Sequence, residues 1–337
     1  MANYVISHAA DLDGVASAAL LHFWGLMLSD DTHVAFADYD NAEDVIMKSV
    51  RDAGKNDTLA IADISLRDPS LLSRIAAHMP REAITIFDHH ASSRDCWEAW
   101  RAEGVNIHFN DAHTHCTADL IYNAMIDTLG IPVPSDISAL RQAAHSRDLW
   151  IRNDKNGEMM SDVITVLGAY HVFDELSANP GRIYPDNYTP VMCDALHKCQ
   201  DNRERSKQMA KRSGSYQGME INDGQLVKVV TAFCEGHESD ISEMLMAPYS
   251  IPCWVGLINI KKNVLSFRCN SFTVNSTGVA VSDIATFFGG GGHPFAAGSP
   301  MVSHYADGLD PKALGLMMQA LIHMIRNRAE CAEEVKL

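Results

Sequence analysis

The chain has 337 residues, 47% of them hydrophobic and 21% charged, with a formal net charge of −16. That length is long for one hydrophobic core and comfortable for two domains of ordinary globular composition. The acidic balance argues against long nucleic acid as the main partner, since few cations stand ready to release its counterions, yet it leaves room for a short anionic substrate at a metal site.

In chain order, Asn3 to Ser7 reads as a short strand and Val15 to Leu28 as a helix. A second strand, Thr32 to Ala37, precedes a polar-faced helix from Ala42 to Asp52, and a third strand runs from Thr58 to Ala62. Asp68-Pro69 opens a helix to about Met79. Strands at Ala83 to Phe87 and Val105 to Phe109 and helices at Ala118 to Leu129 and Ile137 to His145 complete an alternating pattern. Strands separated by helices predict an α/β fold built on a parallel sheet with helices on both faces.

Asn179 to Pro190, rich in Pro, Gly, Asn and Tyr, marks a boundary. A basic helix, Val191 to Arg212, follows, and it reads either as a solvated connector or as a face that meets substrate phosphate. Beyond Gly218, strands at Leu226 to Phe233, Cys253 to Ile260 and Val264 to Cys269, short helices at Ser239 to Met246 and Val281 to Phe288, and a closing helix from Pro311 to Ala332 predict a smaller α/β domain. The expected organisation is residues 1–185, a connector helix at 186–216 and a second domain at 217–337. The longest apolar stretch is broken by His22 and Gly25, and the N-terminus has no basic region with a small-residue cleavage site. No membrane partner and a cytoplasmic location are therefore expected. Eight cysteines without a C-x-x-C pair predict reduced thiols.

The informative residues lie where apolar runs stop: His8, Asp11 and Asp13 after the first strand, Asp63 after the third, Asp88, His89 and His90 after the fourth, and Asp148 after a helix. Strand ends of one parallel sheet deliver such groups to a single crevice at its carboxyl edge. So many acids and imidazoles in one crevice repel and desolvate badly unless cations sit among them. An Asp-x-Asp step can serve two adjacent ions, and mixed carboxylate and imidazole donors suit Mn²⁺, with Mg²⁺ the poorer match. Taken alone, that step also fits a polar turn. His113 and His115 follow the fifth strand and fit either the crevice, as substrate contacts, or a surface loop. Gly289-Gly290-Gly291-Gly292-His293 offers backbone amides to an anion, and equally fits a flexible turn. Arg268, at a strand end, could bind phosphate or stack on a base, with Asn270 as a weaker base contact.

The set His8-x-x-Asp11-x-Asp13-Gly14-x-x-Ser17, Asp63, Asp88-His89-His90 and Asp148 resembles the four motifs of the DHH phosphoesterases. Gly289 to His293 followed by Ala296-Ala297-Gly298 resembles the signature of the associated DHHA1 domain, so the likeness covers about residues 1–150 and 218–300. The resemblance implies two Mn²⁺ ions, one held by His8, Asp11 and Asp63, the other by Asp13, Asp63, His89 and Asp148. It further implies that Asp63 bridges, Asp88 orients His89 and His90 meets the scissile phosphate. Gly290, Gly291, Gly292, His293, Arg268 and Asn270 would bind substrate, with the active site between the two domains. The implied activity is hydrolysis of very short RNA or a linear dinucleotide such as pGpG to nucleoside monophosphates. A cyclic-dinucleotide phosphodiesterase, a RecJ-like single-strand exonuclease and a non-catalytic nucleotide sensor are the alternatives. A homodimer is compatible with the sequence.

Overall fold

The computed structural model describes residues 2–28, 31–130, 133–221, 224–301 and 309–334, with side chains of the last helix described to residue 327. It divides into two compact units, Met1–Cys199 and Gln200–Leu337.

The first unit is built on strands β1 (Ala2–His8), β2 (Asp31–Ala37), β3 (Thr58–Ala62), β4 (Ile84–Asp88) and β5 (Asn106–Phe109). They form one parallel sheet in the order β2-β1-β3-β4-β5. Successive side chains on a strand face opposite ways, and both faces are covered. Val5, Ala62 and Phe87 pack with helices α1 (Leu12–Met27), α5 (Thr117–Leu129) and α6 (Ser135–Asp148). Ile6, Ile61 and Ile86 pack with α2 (Ala42–Asp52), α3 (Leu71–Ala76) and α4 (Arg94–Ala102). The chain leaves β1 for β2 on one side and places β3 on the other, so a topological switch point opens at the carboxyl ends of β1 and β3.

The α/β reading and its sheet stand. The helix expected from Asp68 to Met79 is confined to α3, because the Asp68 carboxylate accepts from the Ser70 backbone N–H at 2.9 Å and folds the Pro69 segment into a turn. Helix α4 lies outside the expected elements, as do α7 (Lys155–Leu167) and α8 (Ala169–Ala178). Helix α9, Pro190–Ser213, occupies the expected connector and runs across the division between units.

The second unit holds β6 (Ser215–Ile221), β7 (Gln225–Cys234), β8 (Cys253–Asn259), β9 (Val264–Cys269), β10 (Gly291–His293) and β11 (Ala296–Pro300) in a mixed sheet ordered β10-β11-β9-β8-β7-β6. One face packs on α12 (Val281–Phe287) and α13 (Pro311–Glu334), the other on α10 (Glu238–Met246). The short α11 (Ser271–Thr277) follows β9.

Candidate metal centre

Each polar cluster reaches the crevice by a distinct local device. His8 ends β1, and the Asp11 carboxylate caps α1 by accepting from the Gly14 N–H at 3.1 Å. A Cβ at Gly14 would run into the carbonyl oxygen of His8, so the tight return from strand to helix requires glycine there. Asp63 follows β3 with φ of 60°, a left-handed conformation uncommon outside glycine and typical of a residue held for its side chain. Its backbone N–H donates to the Phe87 carbonyl at 2.9 Å, which levels the ends of β3 and β4. Asp148 is the last residue of α6.

The result is two donor groups that share one carboxylate. His8 Nδ1 lies 3.0 Å from Asp11 Oδ2 and 3.7 Å from Asp63 Oδ2. His89 Nε2 lies 3.5 Å from Asp63 Oδ1, 3.6 Å from Asp148 Oδ2 and 3.8 Å from Asp13 Oδ2. Within the sets His8, Asp11, Asp63 and Asp13, His89, Asp148, one donor atom per residue falls within 4.8 Å of the others. Asp63 therefore presents one oxygen to each set, and the donors are oxygen and imidazole nitrogen, a mixture that fits Mn²⁺ or Mg²⁺.

The electrostatics describe a buried cluster whose acids and imidazoles shift one another strongly. Burial alone disfavours the charge on His8 and His89, yet contacts to Asp11, Asp63, Asp13 and Asp148 push both imidazoles up to about 10. Burial pushes Asp13 well above the carboxylate range, reinforced by the Asp63 and Asp148 charges. Burial likewise raises Asp148 to about 6. Burial would raise Asp63 too, but the hydrogen bonds from His8 and His89 outweigh it and hold that carboxyl well below its ordinary value. In such a cluster protons and divalent ions compete for the same donor atoms.

The surrounding residues fix these donors, and several carry no signal in sequence. Both oxygens of Asp13 accept backbone N–H groups at the start of α5, from Thr117 and Ala118 at 2.8 Å each. The Thr117 hydroxyl donates to Asp63 Oδ1 at 3.0 Å. Asp119, 3% exposed, accepts from the Cys116 N–H at 3.0 Å, lies 2.6 Å from His145 Nδ1 and accepts from Arg141 at 3.3 Å. With its oxygens so engaged, Asp119 ties α5 to α6, and the Cys116, Asp119, His145 trio is a brace more than an ion site. Asp88 orients His90, in place of the His89 expected from the resemblance: Asp88 Oδ1 is 2.7 Å from His90 Nδ1, while Oδ2 accepts from Trp97 Nε1 at 2.6 Å. Tyr39, in the turn after β2, stacks on His8 at 4.6 Å between ring centroids, and its hydroxyl lies 3.1 Å from His90 Nε2. His115 contacts Thr114 and Asn110 at 2.9 and 3.3 Å and belongs to none of the donor sets.

The candidate substrate residues of the second unit gather around β9 to β11. The glycine run is largely a β-hairpin edge: Gly291, Gly292 and His293 pair with Gly298, Ala297 and Ala296. The Gly290 N–H donates to the Ala285 carbonyl at 2.9 Å, so that amide does not serve an anion as expected. A Cβ at Gly290 would strike the Gly298 carbonyl and Ser299, which explains the glycine by close backbone approach. Arg268 donates to the Ser266 hydroxyl and Phe267 carbonyl at 2.8 and 2.9 Å and, with Gly291, lines a cavity of about 530 Å³. The Asn270 side-chain oxygen caps α11 by accepting from the Thr273 N–H at 2.9 Å.

No family model matches the chain, and no curated protein matches it. Among solved structures, the chain resembles a DHH domain described as belonging to a family of ribosomal proteins, with a TM-score of 0.62 and 12% identity over 95% of this chain and 86% of that one. It also resembles a pGpG-specific phosphodiesterase from Vibrio cholerae, with a TM-score of 0.57 and 16% identity over 96% and 99% of the two chains. A manganese-bound exonuclease RecJ gives a TM-score of 0.55 and 13% identity over 97% and 90%. Among the described residues no helix is long and apolar enough to cross a membrane. The chain has the fold of the DHH-domain proteins.

Proposed function

We propose that this chain is a metal-dependent phosphodiesterase that holds two Mn²⁺ ions, with Mg²⁺ as the alternative. It hydrolyses very short oligoribonucleotides or a linear dinucleotide such as pGpG to nucleoside monophosphates. The observation that carries the reading is Asp63, whose two oxygens face His8 with Asp11 on one side and His89 with Asp13 and Asp148 on the other. One ion is assigned to His8, Asp11 and Asp63, the second to Asp13, Asp63, His89 and Asp148. When bound, a pair of such ions neutralises charge developing on a phosphoryl group and activates water. His90, whose Nδ1 is held by Asp88 and whose Nε2 faces the Tyr39 hydroxyl, is assigned to the scissile phosphate, with Nε2 exchanging that hydroxyl for a phosphoryl oxygen when substrate binds. Arg268 and the edge from Gly291 to His293 are assigned to a substrate phosphate.

A short substrate is supported by the net charge of −16, which disfavours a long anionic partner, and by a likeness that spans 99% of a pGpG-specific enzyme. End-labelled RNAs of two to ten residues, pGpG and a cyclic dinucleotide, timed side by side with Mn²⁺, test this. Fastest release of mononucleotide from the two-residue substrates is expected. Equal rates at two and ten residues would favour an exonuclease. Binding without any release of product would favour a sensor.

A further inference from the structure

We infer that Tyr39 is the stacking platform on which a nucleobase of the substrate lies. This deepens the proposed function by naming what the site recognises beside the phosphate. Three contacts fix the ring before any ligand arrives. One face stacks on His8, with centroids 4.6 Å apart and planes at 27°. The hydroxyl is held 3.1 Å from His90 Nε2. The loop beneath is tightened by Asn41, whose side-chain oxygen accepts from the Asp38 N–H at 2.9 Å and whose own N–H donates to the Asp38 carbonyl at 3.2 Å.

Despite these anchors Tyr39 is 51% exposed, and among the described residues no ring other than His8 and His90 is paired with it. A large aromatic stacked on one side and half exposed loses little further freedom when a flat ring settles on it. Its position selects the ligand. His8 belongs to one donor set and His90 sits beside the other, so a planar group over Tyr39 is within a nucleotide's reach of a phosphate at the cluster. An inorganic polyphosphate has nothing to place there, whereas every nucleobase has a π-face. The platform therefore selects for the presence of a base more than for its identity.

The test is calorimetric binding of GMP and of ribose 5-phosphate with Mn²⁺ present, to wild type, Tyr39→Leu and Tyr39→Phe, and it needs no turnover. Wild type should bind GMP about 10- to 100-fold more tightly than ribose 5-phosphate. Tyr39→Phe should keep that ratio. Tyr39→Leu should bring the two ligands within about twofold while binding ribose 5-phosphate as wild type does. An unchanged ratio in Tyr39→Leu, no preference in wild type, or equal weakening of both ligands would overturn the inference. Failure to hydrolyse pGpG alongside an intact GMP preference would instead sink the enzymatic reading and leave the platform standing.

Discussion

Replacing Trp97 by Phe should cost more than the same change at Trp100, although both indoles are buried in the same core. Trp97 Nε1 donates at 2.6 Å to Oδ2 of Asp88, a carboxylate with no exposure. Trp100 Nε1 donates at 3.1 Å to a neutral acceptor, the Pro69 carbonyl. Both substitutions lose a similar ring volume, so the packing losses nearly cancel in the comparison. What remains is a hydrogen bond to a buried charge, worth about 1.5–3 kcal/mol, against a neutral one worth about 0.5–1.5 kcal/mol. Trp97→Phe should therefore be the less stable by about 1–2 kcal/mol. In a Trp254→Phe background the remaining indoles all lie in the first unit, so tryptophan fluorescence during urea unfolding reports that unit alone. With a urea slope of about 2 kcal/mol/M, the midpoint of Trp97→Phe should lie roughly 0.5–1 M below that of Trp100→Phe. Because Asp88 in turn grips His90, Trp97→Phe should also lower kcat on pGpG while Trp100→Phe leaves it intact. Equal midpoints would refute the argument that Asp88 is held through Trp97.

Cation-free protein should lose thermal stability between about pH 6.5 and 10, because His8 and His89 are raised to about 10. Their stabilising protonation is complete below the unfolded imidazole value and is lost as pH climbs through the folded one. Added Mn²⁺ should stabilise progressively more as pH rises, since binding must displace those protons; a flat cation-free melting profile over this range would contradict the protonated cluster. Asp119→Ala removes the partner of His145 and Arg141 and should cost about 3–5 kcal/mol. The milder Asp119→Asn should weaken Mn²⁺ binding about 10- to 100-fold, read by paramagnetic resonance, as the brace on α5 and α6 loosens. Unaltered Mn²⁺ affinity in that variant would separate Asp119 from the centre. Gly290→Ala pushes a methyl into the backbone of β11 and should destabilise the second unit by about 1–3 kcal/mol, whereas Gly291→Ala enters open space and should cost under about 0.5 kcal/mol. Trp254 fluorescence during unfolding distinguishes them, and equal losses would refute the close-approach explanation.

Much of the site was legible because its donors sit at ends of apolar runs, where strand period and register force them to one sheet edge. Asp63 and the residues from Asp88 to His90 are of this kind. What escaped reading depends on contacts between elements distant in sequence. Thr117 and Ala118 serve Asp13 through backbone N–H groups, which any residue type possesses. Tyr39 stands in the sequence with no motif around it, and its meaning lies in the rings of His8 and His90, far from it in the chain. The pairing of Asp88 with His90 was missed because adjacency in the motif does not say which imidazole turns back; the N–H of Trp97 on α4 fixes the other oxygen. Helix α4 itself escaped although Cys96, Trp97 and Trp100 recur on one buried face. In the second unit the glycines suggested an open anion cradle, while pairing with β11 uses the same absence of side chains to bring two backbones together.

Asp63 shared by two ions is the centre of the proposed chemistry, and titration of the cation-free protein with Mn²⁺, followed by paramagnetic resonance, tests it most directly. Wild type should take up two ions per chain with the spectral broadening of a magnetically coupled pair. Asp63→Asn should lose the coupled signal and bind at most one ion tightly. One ion in wild type, or a coupled pair of wild-type affinity in Asp63→Asn, would contradict the account.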